Sequence, residues 1–358
     1  MWPYWLLFLV PAVLALTQLA PKTAPLRITH LSVTWRAVLV MLVLIIGLRH
    51  EVGGDWSIYL EMLESYIDGS DAGQNGFQDP AYILLNILAA RSGLGVYLIN
   101  LLSAVFFSWG LYVFCRAQPR PWLALVVAVP YLITVVAMGY TRQSAAIGIA
   151  MLAIVALGQG RTWRFMLWIA LAALFHKSAI VLVPMAVLVN TKRRVFTFIW
   201  VALAFVILYV LLVQEAISFL IMGYIQSEYQ SSGAAIRIAM NAIPAAIFLV
   251  FRKRFQLAPA QLSFWTWMAW SALLFIVLLN ISPSSTAVDR VALQWIPLQL
   301  FVWSRLPNVL GKKNGKNLLW VCAVIAYSAA VHFIWLVYAD TAFAWLPYQF
   351  YPWVWLWQ

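Results

Sequence analysis

Charge is scarce in this chain: only 9% of its 358 residues are Asp, Glu, Lys or Arg. So little polar surface cannot cover a water-soluble globule. Acid is scarcer still, with 11 Asp and Glu against 23 Lys and Arg. Cysteine is almost absent. Cys115 and Cys322 sit inside or beside apolar stretches, with no pair in a polar loop and no metal-ligand spacing around either. Neither a disulfide framework nor a metal centre follows. No DxD or His-rich motif occurs, and no cofactor is expected.

What the chain does have is apolar length. Hydrophobic residues make up 65% of it and the mean hydropathy is +0.88, so it must be dissolved in lipid. About 20 residues at 1.5 Å rise cross a hydrocarbon core of about 30 Å, and such runs fill nearly the whole sequence between short polar breaks. In lipid every backbone polar group must be satisfied within its segment, which leaves helices or a closed barrel. The runs lack two-residue alternation, which excludes the barrel. The expected fold class is an all-α integral membrane protein, a multi-span helical bundle of about 12 spans in a single polytopic transmembrane domain over residues 1–358. The first twenty residues carry no basic stretch ahead of the apolar run, so they read as a retained first span rather than a cleaved signal peptide.

Spans are expected near 2–20, 33–48, 93–115, 121–138, 141–158, 163–175, 177–190, 195–213, 235–251, 262–280, 290–304 and 318–338. Arg161 and Arg164 precede the segment 163–190 and Lys192, Arg193 and Arg194 follow it. Both ends then belong in the cytoplasm, and the chain must turn back near His176. With the amino terminus outside, 17 of the 23 basic residues fall on the cytoplasmic side. The exceptions are Arg49, Arg91, Arg142, Lys177, Arg237 and Arg290, and every acidic residue lands outside with them. The net charge of +12 thus reads as membrane topology rather than a nucleic-acid surface, and no nucleic-acid partner is expected.

The outer side also receives the long connections, 49–92, 214–236, 281–289 and 339–358, and long polar loops carry function more often than short ones. Within the first, Asp55 to Asp68 is amphipathic enough for an interfacial helix, and Asp79-Pro80 opens a short apolar run to Ala90 suited to a re-entrant segment. The tail is dense in Trp and Tyr, and an aromatic belt at the headgroup level is preferred over a sugar-stacking platform.

Several intramembrane or interfacial charges are candidates for chemistry. Arg49 ends the second span and is followed within seven residues by His50, Glu51, Gly53, Gly54 and Asp55. If the residues after Gly54 are helical, Asp55 and Tyr59 share a face at i and i+4 and can meet one ligand; the alternative is a solvated loop with an acid at a helix N-terminus. Tyr140, Arg142 and Gln143 lie between two spans with barely any loop. A guanidinium at a helix centre costs roughly 2.5 to 3.5 kcal/mol on insertion scales, so Arg142 either snorkels or meets an anion. His176 and Lys177 occupy the tight reversal, where the imidazole is either a structural hydrogen-bonder or a proton acceptor. Arg237, after GYIQSEYQSSG, and the Asp289-Arg290 pair, after NISPSST, repeat an arginine at the outer mouth of a span.

Arginines clustered beside a histidine and carboxylates suit a polyanion next to a general base. A guanidinium contacts phosphate oxygens bidentately and keeps its proton, so a cluster can serve a diphosphate leaving group as a divalent metal does elsewhere. The expectation is metal-independent displacement of a lipid diphosphate, with His176 or Asp55 deprotonating an acceptor hydroxyl.

The segments RHEVGGDWSIYLEM at 49–62, YTRQSAAIGIAM at 140–151, FHKSAIVLVP at 175–184 and DRVALQWIP at 289–297 together resemble the EpsG family of polysaccharide polymerases, related in role to Wzy O-antigen polymerases. The resemblance covers most of the chain in order. It implies a GT-C-like membrane glycosyltransferase at the outer face of the bacterial inner membrane, joining undecaprenyl-diphosphate-linked oligosaccharide repeat units. Membrane lipids and a chain-length-regulating membrane protein are the further partners it implies. Arg49, Asp55, Arg142, His176 and Arg290 fall in the family-like segments; Arg237 rests on the residue argument alone. Two alternatives fit much of the same pattern. A flippase or transporter of lipid-linked oligosaccharide would expose charge to both faces in turn, whereas an O-antigen ligase or membrane acyltransferase would share an outer site.

Overall fold

The computed structural model describes residues 1–18, 32–69, 79–189, 198–199, 201–203, 205–207, 233–312 and 315–357. It is helical almost throughout: α1 (Trp2–Thr17), α2 (Val33–Gly47), α3 (Trp56–Ile67), α4 (Pro80–Ser92), α5 (Gly95–Arg116), α6 (Pro121–Ala128), α7 (Thr141–Gly158), α8 (Thr162–Phe175), α9 (Met185–Val189), α10 (Ala234–Phe251), α11 (Pro259–Ile281), α12 (Ser285–Ala292), α13 (Ile296–Leu310), α14 (Leu318–Tyr338) and α15 (Tyr351–Trp357). Helix α6 continues as a π-helix over Val129–Ala137. Two short strands, β1 (Arg49–His50) and β2 (Gln349–Phe350), pair antiparallel with Arg49 opposite Phe350.

Among the described residues five helices are long and apolar enough to cross a membrane: α5, α7, α10 with its 3₁₀ extension to Phe255, α11 and α14. Five shorter apolar helices accompany them. Large apolar side chains such as Leu9, Val40, Trp270, Ile276 and Ile334 face outward, a surface that only lipid satisfies. The chain is an all-α membrane protein. Most of the expected span 195–213 lies outside the described residues, as does most of the loop 214–236.

Helix α7 sits at the centre, buried along nearly its whole length. It crosses α5 with backbones in contact, since a Cβ on Gly110 would collide with the Gly148 carbonyl and one on Gly148 with Phe107. Small residues permit such close approach, which replaces hydrophobic drive as the source of helix association in lipid. This crossing fixes α7, and with it Arg142 on its first turn.

Two expected spans are less regular than a single α-helix. The segment expected at 177–190 starts as a 3₁₀ helix (Lys177–Leu182) and continues as α9, set off from α8 by the extended conformation of His176 (φ −161°, ψ 121°). The span expected at 290–304 is split: α12 and a 3₁₀ turn (Leu293–Trp295) precede α13, so Arg290 ends a short helix rather than opening a long one. The tail also departs from a simple belt. Trp353 and Trp355 are exposed, but Trp345 is buried; its indole N–H donates to the Thr134 carbonyl at 2.8 Å and its carbonyl accepts from the Tyr4 hydroxyl at 2.6 Å.

Contacts between helix ends gather the charges into two groups: Asp79 and Arg142 at the starts of α4 and α7 meet, whereas Arg120 before α6 donates to the Gly315 and Lys316 carbonyls before α14. Arg49, Asp55, Asp79, Arg142, Arg237, Asp289 and Arg290 lie at or next to helix ends and turns, and ion pairs join six of them in pairs.

Candidate functional site

The break after α2 lies against the turn before α7. Gly53 has φ +112°, and a Cβ there would strike the Met138 carbonyl; its N–H donates to the Ala344 carbonyl at 2.8 Å. Only glycine combines that conformation with that approach. Arg49 is thereby sealed inside, 1% exposed. Its guanidinium donates to the carbonyls of Ile46 (2.6 Å) and Val52 (3.1 Å), to Asn100 Oδ1 (3.1 Å) and to Thr141 Oγ1 (2.7 Å). This arginine ties α2, α5 and α7 together.

Arg142, on the next residue of α7, points elsewhere. Its Nη1 donates to Asp79 Oδ2 at 2.9 Å, and the Asp79 carboxylate also accepts from the Lys177 backbone N–H. Asp79 sits at the N-terminus of α4, where Pro80 supplies a preset φ and the helix dipole favours the charge. The Tyr59 hydroxyl hydrogen-bonds both Arg142 and Asp55, so the carboxylate and phenol four residues apart do share a face. Asp55 Oδ1 lies 4.0 Å from Arg290 Nη2. The Arg290 guanidinium carbon lies 3.8 Å from the centre of the Tyr140 ring, close enough for a cation–π contact. Gln143 Nε2 donates to the Arg290 carbonyl at 2.6 Å.

On the adjoining side Arg237 Nε donates to Asp289 Oδ1 at 2.8 Å, joining α10 to α12. His176 closes the ring of residues: its Nδ1 lies 2.7 Å from Ser178 Oγ, which accepts from Gln294 Nε2 at 3.0 Å. Burial and the cations Arg142, Arg290 and Lys177 pull the His176 imidazole down to about 3 from 6.5, so it is neutral at physiological pH. Burial pushes the Asp55 carboxyl up, while Arg290 and Arg142 pull it back. Four cations (Arg142, Lys177, Arg237, Arg290) stand with three carboxylates (Asp55, Asp79, Asp289), leaving a positive surplus in a largely buried site.

The structure therefore brings together Asp55, Tyr59, Tyr140, Arg142, Gln143, His176, Lys177, Asp289, Arg290 and, through Asp289, Arg237. It places Arg49 beneath them as a brace saturated by protein acceptors. Sequence reasoning overlooked three participants. Asp79 had its signal, an acid before proline, but was read only as a helix start. Ser178 and Gln294 carry no distinguishing pattern. Among the described residues no three His, Cys, Asp or Glu converge as a metal would need.

The fold and this site define an all-α membrane protein with a buried, arginine-rich polar centre at one end of its bundle. The EpsG family model matches residues 32–350, and the chain belongs to that family, which is consistent with a polysaccharide polymerase-type membrane protein. No significant match is found among curated proteins or solved structures.

Proposed function

We propose that this chain is a polysaccharide polymerase, a GT-C-like glycosyltransferase of about twelve crossings in the bacterial inner membrane, with its site facing the periplasm or cell exterior. It joins undecaprenyl-diphosphate-linked oligosaccharide repeat units. An acceptor hydroxyl of one lipid-linked unit attacks the anomeric carbon of another chain, and the lipid diphosphate departs. Arg142 and Arg290, with Arg237 and Lys177 behind them, neutralise the charge that grows on the leaving group, and His176 or Asp55 takes the acceptor proton.

The observation that carries this reading is the convergence of guanidiniums, carboxylates and a neutral imidazole from chain segments between residues 55 and 290 onto one end of the bundle. The pairing of Arg142 with Asp79 and Arg237 with Asp289 holds each guanidinium in place while the surplus positive charge stays available to a diphosphate. The same one-sidedness favours an enzyme over a flippase, which needs polar groups along a path to both faces.

In cells, Arg142→Ala and Arg290→Ala should insert normally, make no polymer and accumulate single lipid-linked units. Wild-type polymer lengths in both variants overturn the reading. Accumulation confined to the cytoplasmic leaflet supports the transporter instead.

A further inference from the structure

Two candidates for the proton acceptor stand in the site, and the hydrogen bonds around them separate their roles. The backbone N–H of Ser178 donates to His176 Nδ1 at 3.3 Å. The Ser178 hydroxyl lies 2.7 Å from the same nitrogen, and because its oxygen accepts from the Gln294 amide at 3.0 Å, its own proton is turned toward the ring. A backbone N–H can only donate, so Nδ1 holds the lone pair and the single proton of the neutral imidazole sits on Nε2. Arg142, Arg290 and Lys177 surround the ring with positive charge, which opposes a second proton. With Nε2 already protonated and the cation disfavoured, this histidine offers a donor and has no accessible lone pair.

The carboxylates differ as sharply. Asp79 is 2.9 Å from Arg142 and also bound by the Lys177 backbone N–H. Asp289 is 2.8 Å from Arg237. Both side chains are under a tenth exposed. Asp55 accepts from the Tyr59 hydroxyl and stands 4.0 Å from Arg290, but its side chain is 24% exposed, so it is the one of the three that a substrate hydroxyl can reach.

We infer that, in the transfer reaction proposed above and resting on that reading, Asp55 takes the proton of the acceptor hydroxyl while His176, held as its Nε2–H tautomer by Ser178 and Gln294, donates a hydrogen bond to the departing diphosphate. The acceptor oxygen bonds to the anomeric carbon as the bond from that carbon to the phosphate oxygen breaks. The electron pair leaves with the diphosphate, the hydroxyl proton passes to an Asp55 carboxylate oxygen, and Nε2 keeps its proton. Ser178 and Gln294 are positioning residues that act through the ring.

The tautomer is read directly by ¹⁵N NMR of the full-length protein labelled at histidine. The chain has 4 histidines, and the His176 resonances are assigned by their loss in His176→Gln. The expected spectrum has Nε2 protonated and Nδ1 bare, and Ser178→Ala, which keeps the backbone donor to Nδ1, should retain that tautomer; a protonated Nδ1 overturns the inference. Polymerisation tests the roles. A glutamine amide can place an N–H near the Nε2 position but cannot take a proton. His176→Gln should therefore stay within about tenfold of wild type, while His176→Ala falls by about 10²–10³, the loss typical of a missing oxyanion donor. Asp55→Asn should fall by about 10²–10⁴, the range for a lost general base. His176→Gln as inactive as His176→Ala, with Asp55→Asn active, reverses the assignment. Wild-type protein that makes no polymer overturns the polymerase reading and these roles with it, whereas the spectra decide the tautomer either way.

Discussion

Arg290 is the guanidinium on which a bound diphosphate should depend most. Its side chain is 28% exposed, against 18% for Arg237 and 11% for Arg142, and its carboxylate neighbour lies at 4.0 Å rather than in contact. Its contacts with Asp55 and Tyr140 contribute little to the fold. A partly exposed ion pair is worth about 0.2–1 kcal/mol, and an exposed cation–π contact with Tyr140 about 0.5–1 kcal/mol. Removing it costs the reaction far more, because one preorganised donor aimed at developing charge supplies about 2.7–4 kcal/mol of the barrier reduction, a factor of about 10²–10³ in rate. Arg290→Ala should therefore lose polymerisation by that factor while melting in detergent close to wild type. Arg290→Lys should fall between, keeping the charge but losing the planar fork and its stacking. The assay is the rate of polymer formation alongside thermal melting of the same preparations. A rate within threefold of wild type, or a loss of rate that merely follows a collapse in melting temperature, refutes the reasoning.

Arg49→Ala should act the opposite way, through stability: it strands the carbonyls of Ile46 and Val52 and leaves the Asn100 and Thr141 side chains only their bond to each other. Buried hydrogen bonds to a charged group contribute about 1.5–3 kcal/mol each, so the variant should accumulate poorly and melt early in membranes, and wild-type accumulation would contradict the brace. Gly148→Leu should wedge α7 from α5, displace Arg142, and lower both melting temperature and polymer yield; unchanged values would contradict the backbone contact. The folded-state value of about 3 for His176 against 6.5 unfolded means the unfolded chain binds the proton first. The stability this group contributes is complete above about pH 6.5 and is lost as pH falls from there toward 3. His176→Gln should lack that acid-side loss when melting is followed against pH.

The sequence made some of this plain for physical reasons. Apolar runs between polar breaks dictate helices, so the helix α5 from Gly95 to Arg116 and the break at His176 were legible. Asp55 and Tyr59 were placed together by helical spacing alone. Partnership across the bundle was not legible: that Asp79 rather than lipid compensates Arg142 depends on α4 packing against α5 and α8, which brings Asp79 to the start of α7, and nothing local to either residue records it. Arg49 and Arg290 look alike in sequence, each an arginine at the edge of an expected span beside polar residues. Only the surroundings separate them: Arg49 is buried among protein acceptors, whereas the Arg290 side chain is 28% exposed. The split of 290–304 escaped because hydropathy averages over the 3₁₀ turn at Leu293–Trp295, and Trp345 looked like interfacial aromatic until its carbonyl and indole were seen to bind Tyr4 and the π-helix.

The central claim is that the arginine-lined site transfers a glycan from a lipid diphosphate. Purified protein incubated with a defined undecaprenyl-diphosphate-linked repeat unit, in the presence of EDTA, tests it most directly. The account predicts a ladder of polymer on a gel with release of one undecaprenyl diphosphate for each bond formed, and neither product from Arg290→Ala. Repeat units left intact by active wild-type protein, or activity that vanishes in chelator and returns with magnesium, would contradict it.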